Sequence, residues 1–150
     1  MTELIAPRIM ELRKKAMKEK DVAAKGALQA LSAAFKQECV DNRIDVLSQE
    51  AEMTILVKQI KQRKESIEMF RKADREDLAS KEEAEMKFLE EFLPKQMTED
   101  EVVQAVDEVI ASMGGSVPKA DMGKVMGKLS ALKGKADMGK VSGIVRSKLV

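Results

Sequence analysis

The sequence contains no histidine, no tryptophan and no tyrosine. Without histidine it lacks the commonest general base and the commonest metal ligand. Its single cysteine, Cys39, cannot close an internal disulfide. With no imidazole to form its thiolate, Cys39 reads as a small apolar residue in a reducing compartment rather than a nucleophile. Gly-x-x-x-x-Gly-Lys-Ser/Thr, Gly-x-Gly-x-x-Gly and Gly-x-Ser-x-Gly patterns are all missing, which leaves no nucleotide loop and no nucleophile elbow. No apolar run approaches the roughly 20 residues of a membrane span. Residues 1–15 mix acids with bases, unlike a signal peptide. These absences predict a non-membrane, cytoplasmic protein with no cofactor, no metal and no catalytic residues.

What is present is helix-forming. Hydrophobic residues make up 44% and charged residues 35% of the chain, with only four Phe among the aromatics. Ala, Leu, Met, Lys and Glu dominate, so an all-α fold is expected. A first helix is predicted over residues 4–20, with Pro7 in its first turn, and a second over 22–41 with Leu28, Leu31 and Phe35 in its apolar stripe. Ser48 is the expected N-cap of a long third helix ending near Ala73. A fourth runs over 75–93, stopped by Pro94. Thr98-Glu99-Asp100-Glu101 fits a capping box and opens a fifth helix, which Gly114-Gly115 closes.

Two stripes are interrupted by charge. Arg63 falls in the seam of the third helix, and Glu82 and Glu85 fall in that of the fourth. If the two helices form an antiparallel hairpin, Arg63 lies opposite Glu85 or Glu82, and a buried ion pair would set the register. The other carboxylates of the fourth helix read as a solvated face; a di-metal bundle would need Glu-x-x-His pairs.

The C-terminal segment contains a repeat. Lys119-Ala-Asp-Met-Gly-Lys-Val125 recurs as Lys135-Ala-Asp-Met-Gly-Lys-Val141. Each copy is expected to start a short helix capped by its Asp, Asp121 or Asp137, with Lys133-Gly134 turning between them. Gly123/Gly127 and Gly139/Gly143 give each helix a smooth face suited to close helix approach. From residue 119 onward eight bases face two acids, a net of +6; since the whole chain carries +1, the first 118 residues carry −5. These considerations predict two modules, a helical bundle over 1–95 and a three-helix module over 97–150, joined through residues 88–97.

The bases of the second module, Lys119, Lys124, Lys128, Lys135, Lys140 and Lys148, are the candidate RNA contacts. Lys124 and Lys140 rank first because each sits three residues into a capped helix, where backbone N–H groups also favour phosphate. No aromatic residue accompanies them, so a folded RNA gripped by its backbone fits better than a stacked single strand.

The run 58–73, then Arg75-Glu-Asp-Leu78, Lys81-Glu-Glu-Ala-Glu85, Leu89-Glu-Glu-Phe-Leu-Pro-Lys-Gln96 and Asp121-Met-Gly-Lys-Val-Met-Gly127, resembles the GatB/YqeY family. The likeness extends over nearly the whole chain in order. Asp74 departs from it, since the family usually has Gly there, and that bears on one turn only. The resemblance implies a bacterial-type protein with an N-terminal bundle and a small C-terminal helical domain, similar to the tail of the GatB component of the tRNA-dependent amidotransferase. That tail grips tRNA, and the chemistry lies in other domains; a carbon–nitrogen ligase label would be inherited from them. The expectation is therefore a non-catalytic tRNA-binding protein. Two other readings stay open: a protein–protein adaptor, and an accessory subunit of the amidotransferase.

Overall fold

In a computed structural model of the chain, residues 4–150 are described; the first three residues of the predicted N-terminal module lie outside them. The described residues are helical, with no strand among them and one isolated bridge between Lys133 and Ala136. The α-helices are α1 (Ile9–Lys18), α2 (Val22–Asn42), α3 (Gln49–Lys72), α4 (Glu76–Glu90), α5 (Glu99–Ser112), α6 (Met122–Lys128) and α7 (Met138–Lys148). The chain divides into two compact units, Met1–Leu93 and Pro94–Val150.

The first unit is a four-helix assembly in which α3 and α4 pair most extensively. Its core holds Ile9 of α1, Leu28, Leu31 and Phe35 of α2, Leu56 and Ile60 of α3 and Leu89 of α4. The first helix starts later than expected. Ala6–Arg8 form a 3-10 turn with Pro7 in it, and the α-helix begins at Ile9. Glu52, only 2% exposed, takes up the free donors at this entry: its carboxylate accepts from Ile5 N at 2.7 Å and Ala6 N at 2.8 Å. The start of α3 thus pins residues 5 and 6 by charge-assisted hydrogen bonds.

Two predicted N-caps, Ser48 and Thr98, form as expected, and Asp21 caps α2 in the same way. Asp21, Ser48 and Thr98 accept from Ala24 N, Ala51 N and Glu101 N respectively. Helix ends follow a common geometry with uncommon residues. After α3, Arg75 N donates to Phe70 O and Asp74 N to Arg71 O, with Asp74 at φ 58°. That is a Schellman ending, which favours glycine. Lys20 and Arg43 take the same left-handed conformation after α1 and α2. Helix α4 ends at Glu90, three residues before the predicted stop at Leu93. Phe92 N and Leu93 N turn back to Leu89 O and Glu90 O as the chain approaches Pro94, whose ring disfavours helical geometry in the residue before it.

The second unit packs α5, α6 and α7 around Val102, Val106, Ile110, Val125, Val141 and Val145. Here one expectation fails. The two copies of the repeat are not structurally equivalent. Asp137 caps α7 through Gly139 N at 2.8 Å, but Asp121 lies in a 3-10 turn, Lys119–Asp121, and its side chain makes no cap bond. Helix α6 is seven residues against eleven in α7. Glycine weakens a helix interior, and α6 carries two in its seven residues, with no cap to offset them.

Candidate nucleic-acid interface

All six candidate lysines are exposed, and Lys119, Lys124, Lys128, Lys135 and Lys140 all precede the second turn of α7. They are spread over the 3-10 turn, α6, the following loop and the first turn of α7. Lys148 differs. Its ammonium lies 2.7 Å from Asp107 Oδ1 of α5, so this base ties α7 to α5. Lys124 faces its own Asp121 at 3.6 Å, a loose pair on the solvent side. Both acids of the 119–150 segment are thereby engaged within the module, Asp121 by Lys124 and Asp137 by the Gly139 amide.

This arrangement corrects the picture of two equal phosphate-binding helix starts. Helix α6 has no capped start. In α7 the Asp137 carboxylate already accepts from the Gly139 amide, and its charge repels a phosphate there. What remains is a set of solvated ammonium groups that act as point charges. Beside Lys140, a cavity of about 580 Å³ opens between the start of α5 and α7, lined in part by Gln96, Met97, Asp137, Ile144 and Ser147. Gln96 fixes one wall by donating to Gly134 O at 2.7 Å, and Met97 N donates to Lys135 O at 2.8 Å. The smooth glycine faces are not used for helix packing: a side-chain carbon added at Gly123, Gly127 or Gly143 would meet open space.

The structure brings together Arg63, Glu82 and Glu85. Arg63 Nη1 donates to Glu82 Oε2 at 2.9 Å and to Glu85 Oε2, with the Arg63 and Glu85 side chains 11% and 10% exposed. Sequence reasoning missed the third wall of this cluster. Gly26 of α2 lies against Glu85, and a Cβ there would fall 2.6 Å from Glu85 Oε1. Arg63 Nε is buried without a hydrogen-bond partner, as is Oε1 of Gln59 one turn earlier. These groups touch three helices and are enclosed by them, which marks them as structural.

At the exposed end of the hairpin, Arg71 bonds Glu76 and Glu83. The bonds from Arg71 hold both carboxyls below their ordinary range, and the bond to Glu76, then that to Glu83, raises the Arg71 guanidinium. Among the described residues no cluster of three or more His, Cys, Asp or Glu is placed to hold a metal ion. No helix among them is long and apolar enough to cross a membrane.

Sequence reasoning also passed over an apolar groove in the first unit, between α1, α2 and residues 45–47. Its signal was Met10 and Met17, seven residues apart and outside the buried face of α1.

Comparison with known proteins places these features in a family. A profile described as "Yqey-like protein" matches residues 6–149. The "Altered inheritance of mitochondria protein 41, mitochondrial" of Kluyveromyces lactis is 34% identical over 77% of this chain and 64% of its own length. The protein of the same name from Pyrenophora tritici-repentis is 32% identical over 87% of this chain and 72% of its own. An uncharacterised protein of Schizosaccharomyces pombe is 43% identical over 52% of this chain and 61% of its own. The chain thus spans less than two thirds of the length of the first and last of these relatives. With the profile reaching from the 3-10 turn at Ala6 to the end of the second core at Leu149, the chain belongs to the family of Yqey-like proteins.

Proposed function

We propose that this chain is a non-catalytic RNA-binding protein whose second unit holds the phosphate backbone of a folded RNA, with tRNA the first candidate. One observation carries the reading. Lys119, Lys124, Lys128, Lys135 and Lys140 are exposed, and only two acids, Asp121 and Asp137, share residues 119–150 with them. The family resemblance to an amidotransferase tail points the same way. The residue set argues against chemistry in this chain, since it has no histidine and one cysteine. Ammonium groups without aromatic neighbours attract phosphate but do not read bases, so affinity should be similar among tRNAs.

The compartment follows the same reasoning. Two relatives carry "mitochondrial" in their names. We place this protein in a reducing aqueous compartment, whether cytoplasm or mitochondrial interior, consistent with its single thiol.

The test is binding of a purified tRNA as salt is varied. With about four phosphate contacts, log affinity should fall with log salt at a slope of about −3 to −4. Lys124→Glu combined with Lys140→Glu should remove most binding and leave helix content unchanged. A flat salt dependence, with normal binding by the double variant, overturns the proposal.

A further inference from the structure

The apolar groove of the first unit is independent of the basic lysines just described. Its volume is about 870 Å³. The floor is core: Ile9, Phe35 and Leu47, each 4–6% exposed. The walls are apolar side chains left in solvent, with Met10 67%, Met17 62%, Val40 70% and Val46 66% exposed. Scattered exposed hydrophobics need no explanation, but four around one concavity do. Arg13, Lys14 and Lys36 line the same groove against one acid, Asp45. Lys14 also has Glu11 at 3.6 Å, an exposed and loose pair.

We infer that this groove receives an amphipathic helix of a partner protein, apolar on the buried side and acidic along its edges. Three features select that occupant. The first is charge: three bases against one acid repel a basic segment and attract an acidic one. The second is backbone chemistry. Two walls are helices α1 and α2, whose peptide groups are satisfied within themselves, and the third, residues 45–47, is non-helical but too short to serve as a strand edge for an extended peptide. A segment entering this groove must satisfy its own backbone, as a helix does. The third is shape. Met10 and Met17 stand seven residues apart on α1, about 10 Å along its axis, which matches the i to i+7 anchors of a docked helix. Methionine walls adapt to such anchors. A flat lipid surface would touch the exposed walls but not the recessed Ile9, Phe35 and Leu47.

Cys39 lines the groove, is partly exposed and is the chain's only cysteine, so it reports occupancy directly. The experiment measures the rate at which N-ethylmaleimide alkylates Cys39 in the full chain. The probe is a synthetic helix of about four turns with Leu at i, i+3, i+4 and i+7 and Glu elsewhere. Its charge-reversed twin carries Lys in place of Glu. The acidic probe should slow alkylation and bind at least about tenfold more tightly than the twin. Met10→Ser with Met17→Ser should weaken the acidic probe by a similar factor. Arg13→Glu with Lys36→Glu should reverse the preference between the twins. All four positions are at the surface or rim, so the variants should keep the native helix content. Equal protection by the twins, or protection indifferent to these variants, overturns the inference. So does protection by vesicles of equal parts phosphatidylcholine and phosphatidylglycerol but not by the probe, which would assign the groove to a membrane. Protection that grows with protein concentration alone would overturn it too, by assigning the groove to a second copy of the chain.

Discussion

Arg63 is the residue on which the hairpin of α3 and α4 is registered, since it meets carboxylates from two successive turns of α4. Removing one member of a buried pair is worse than removing both, because the survivor is left charged and unpaired. Arg63→Leu should therefore destabilise the first unit by about 3 kcal/mol, and adding Glu85→Leu should recover much of that loss. Urea unfolding of the single and double variants checks it; an unchanged midpoint in Arg63→Leu would show that Glu85 does not depend on the guanidinium. Glu52 is the other buried acid, and its oxygens accept from Ile5 N and Ala6 N. Glu52→Gln keeps the shape but turns an amide group toward one donor, at a cost of about 1–3 kcal/mol. The exchange of the Ile5 and Ala6 amides with solvent should quicken before that of any amide in α1. Asp74 works the other way. It occupies a left-handed position where the resemblance leads one to expect glycine, so Asp74→Gly should stabilise by about 1 kcal/mol, read as a raised thermal midpoint.

Elements were legible in the sequence where their signals are local. Ser48, Thr98 and Asp137 cap as their spacing suggests, and Gly114 and Gly115 end α5 with positive φ. The Arg63–Glu82–Glu85 cluster was legible because charge broke two apolar stripes at matching heights. Other features depend on contacts distant in sequence. Glu52 bonds amides 46 and 47 residues away, and no pattern in α3 announces that. The two copies of the repeat look alike in sequence yet differ in structure, because Asp121 is drawn into a 3-10 turn and Asp137 is not. Gly26 was equally silent, although Glu85 packs against it. Gly→Ala in a helix interior ordinarily stabilises by about 1 kcal/mol. Here the added methyl group would strike Glu85, which Arg63 holds in place. Gly26→Ala should instead destabilise by about 1–3 kcal/mol. In a Glu85→Ala background the same change should become neutral or favourable, and a double-mutant cycle measures that reversal.

At the scale of the molecule, the two units have separate cores. One cluster runs from Ile5 to Leu89 and the other from Val102 to Leu149, with no residue in common. Their polar fastenings are also separate: Arg63 with Glu82 and Glu85 in the first, Lys148 with Asp107 and Gln96 with Gly134 in the second. Changes at residues that share no partner add independently, and stability within a chain can be local. A lesion in one core should therefore leave the other standing. Val141 is fully buried at the centre of the second core, and Val141→Ala removes two methyl groups there, at a cost of about 1–3 kcal/mol. Hydrogen exchange should show faster amides throughout α5 and α7 in this variant and native protection in α2 and α3. Arg63→Leu should give the converse pattern. The same pair separates the two proposed surfaces. Arg63→Leu should spare tRNA affinity, while Val141→Ala should reduce it as the second unit begins to open. Conversely, alkylation of Cys39 should respond to Arg63→Leu and not to Val141→Ala. Loss of protection in both units from either change would show that the chain unfolds as one cooperative body, and the two surfaces would then have to be analysed as one.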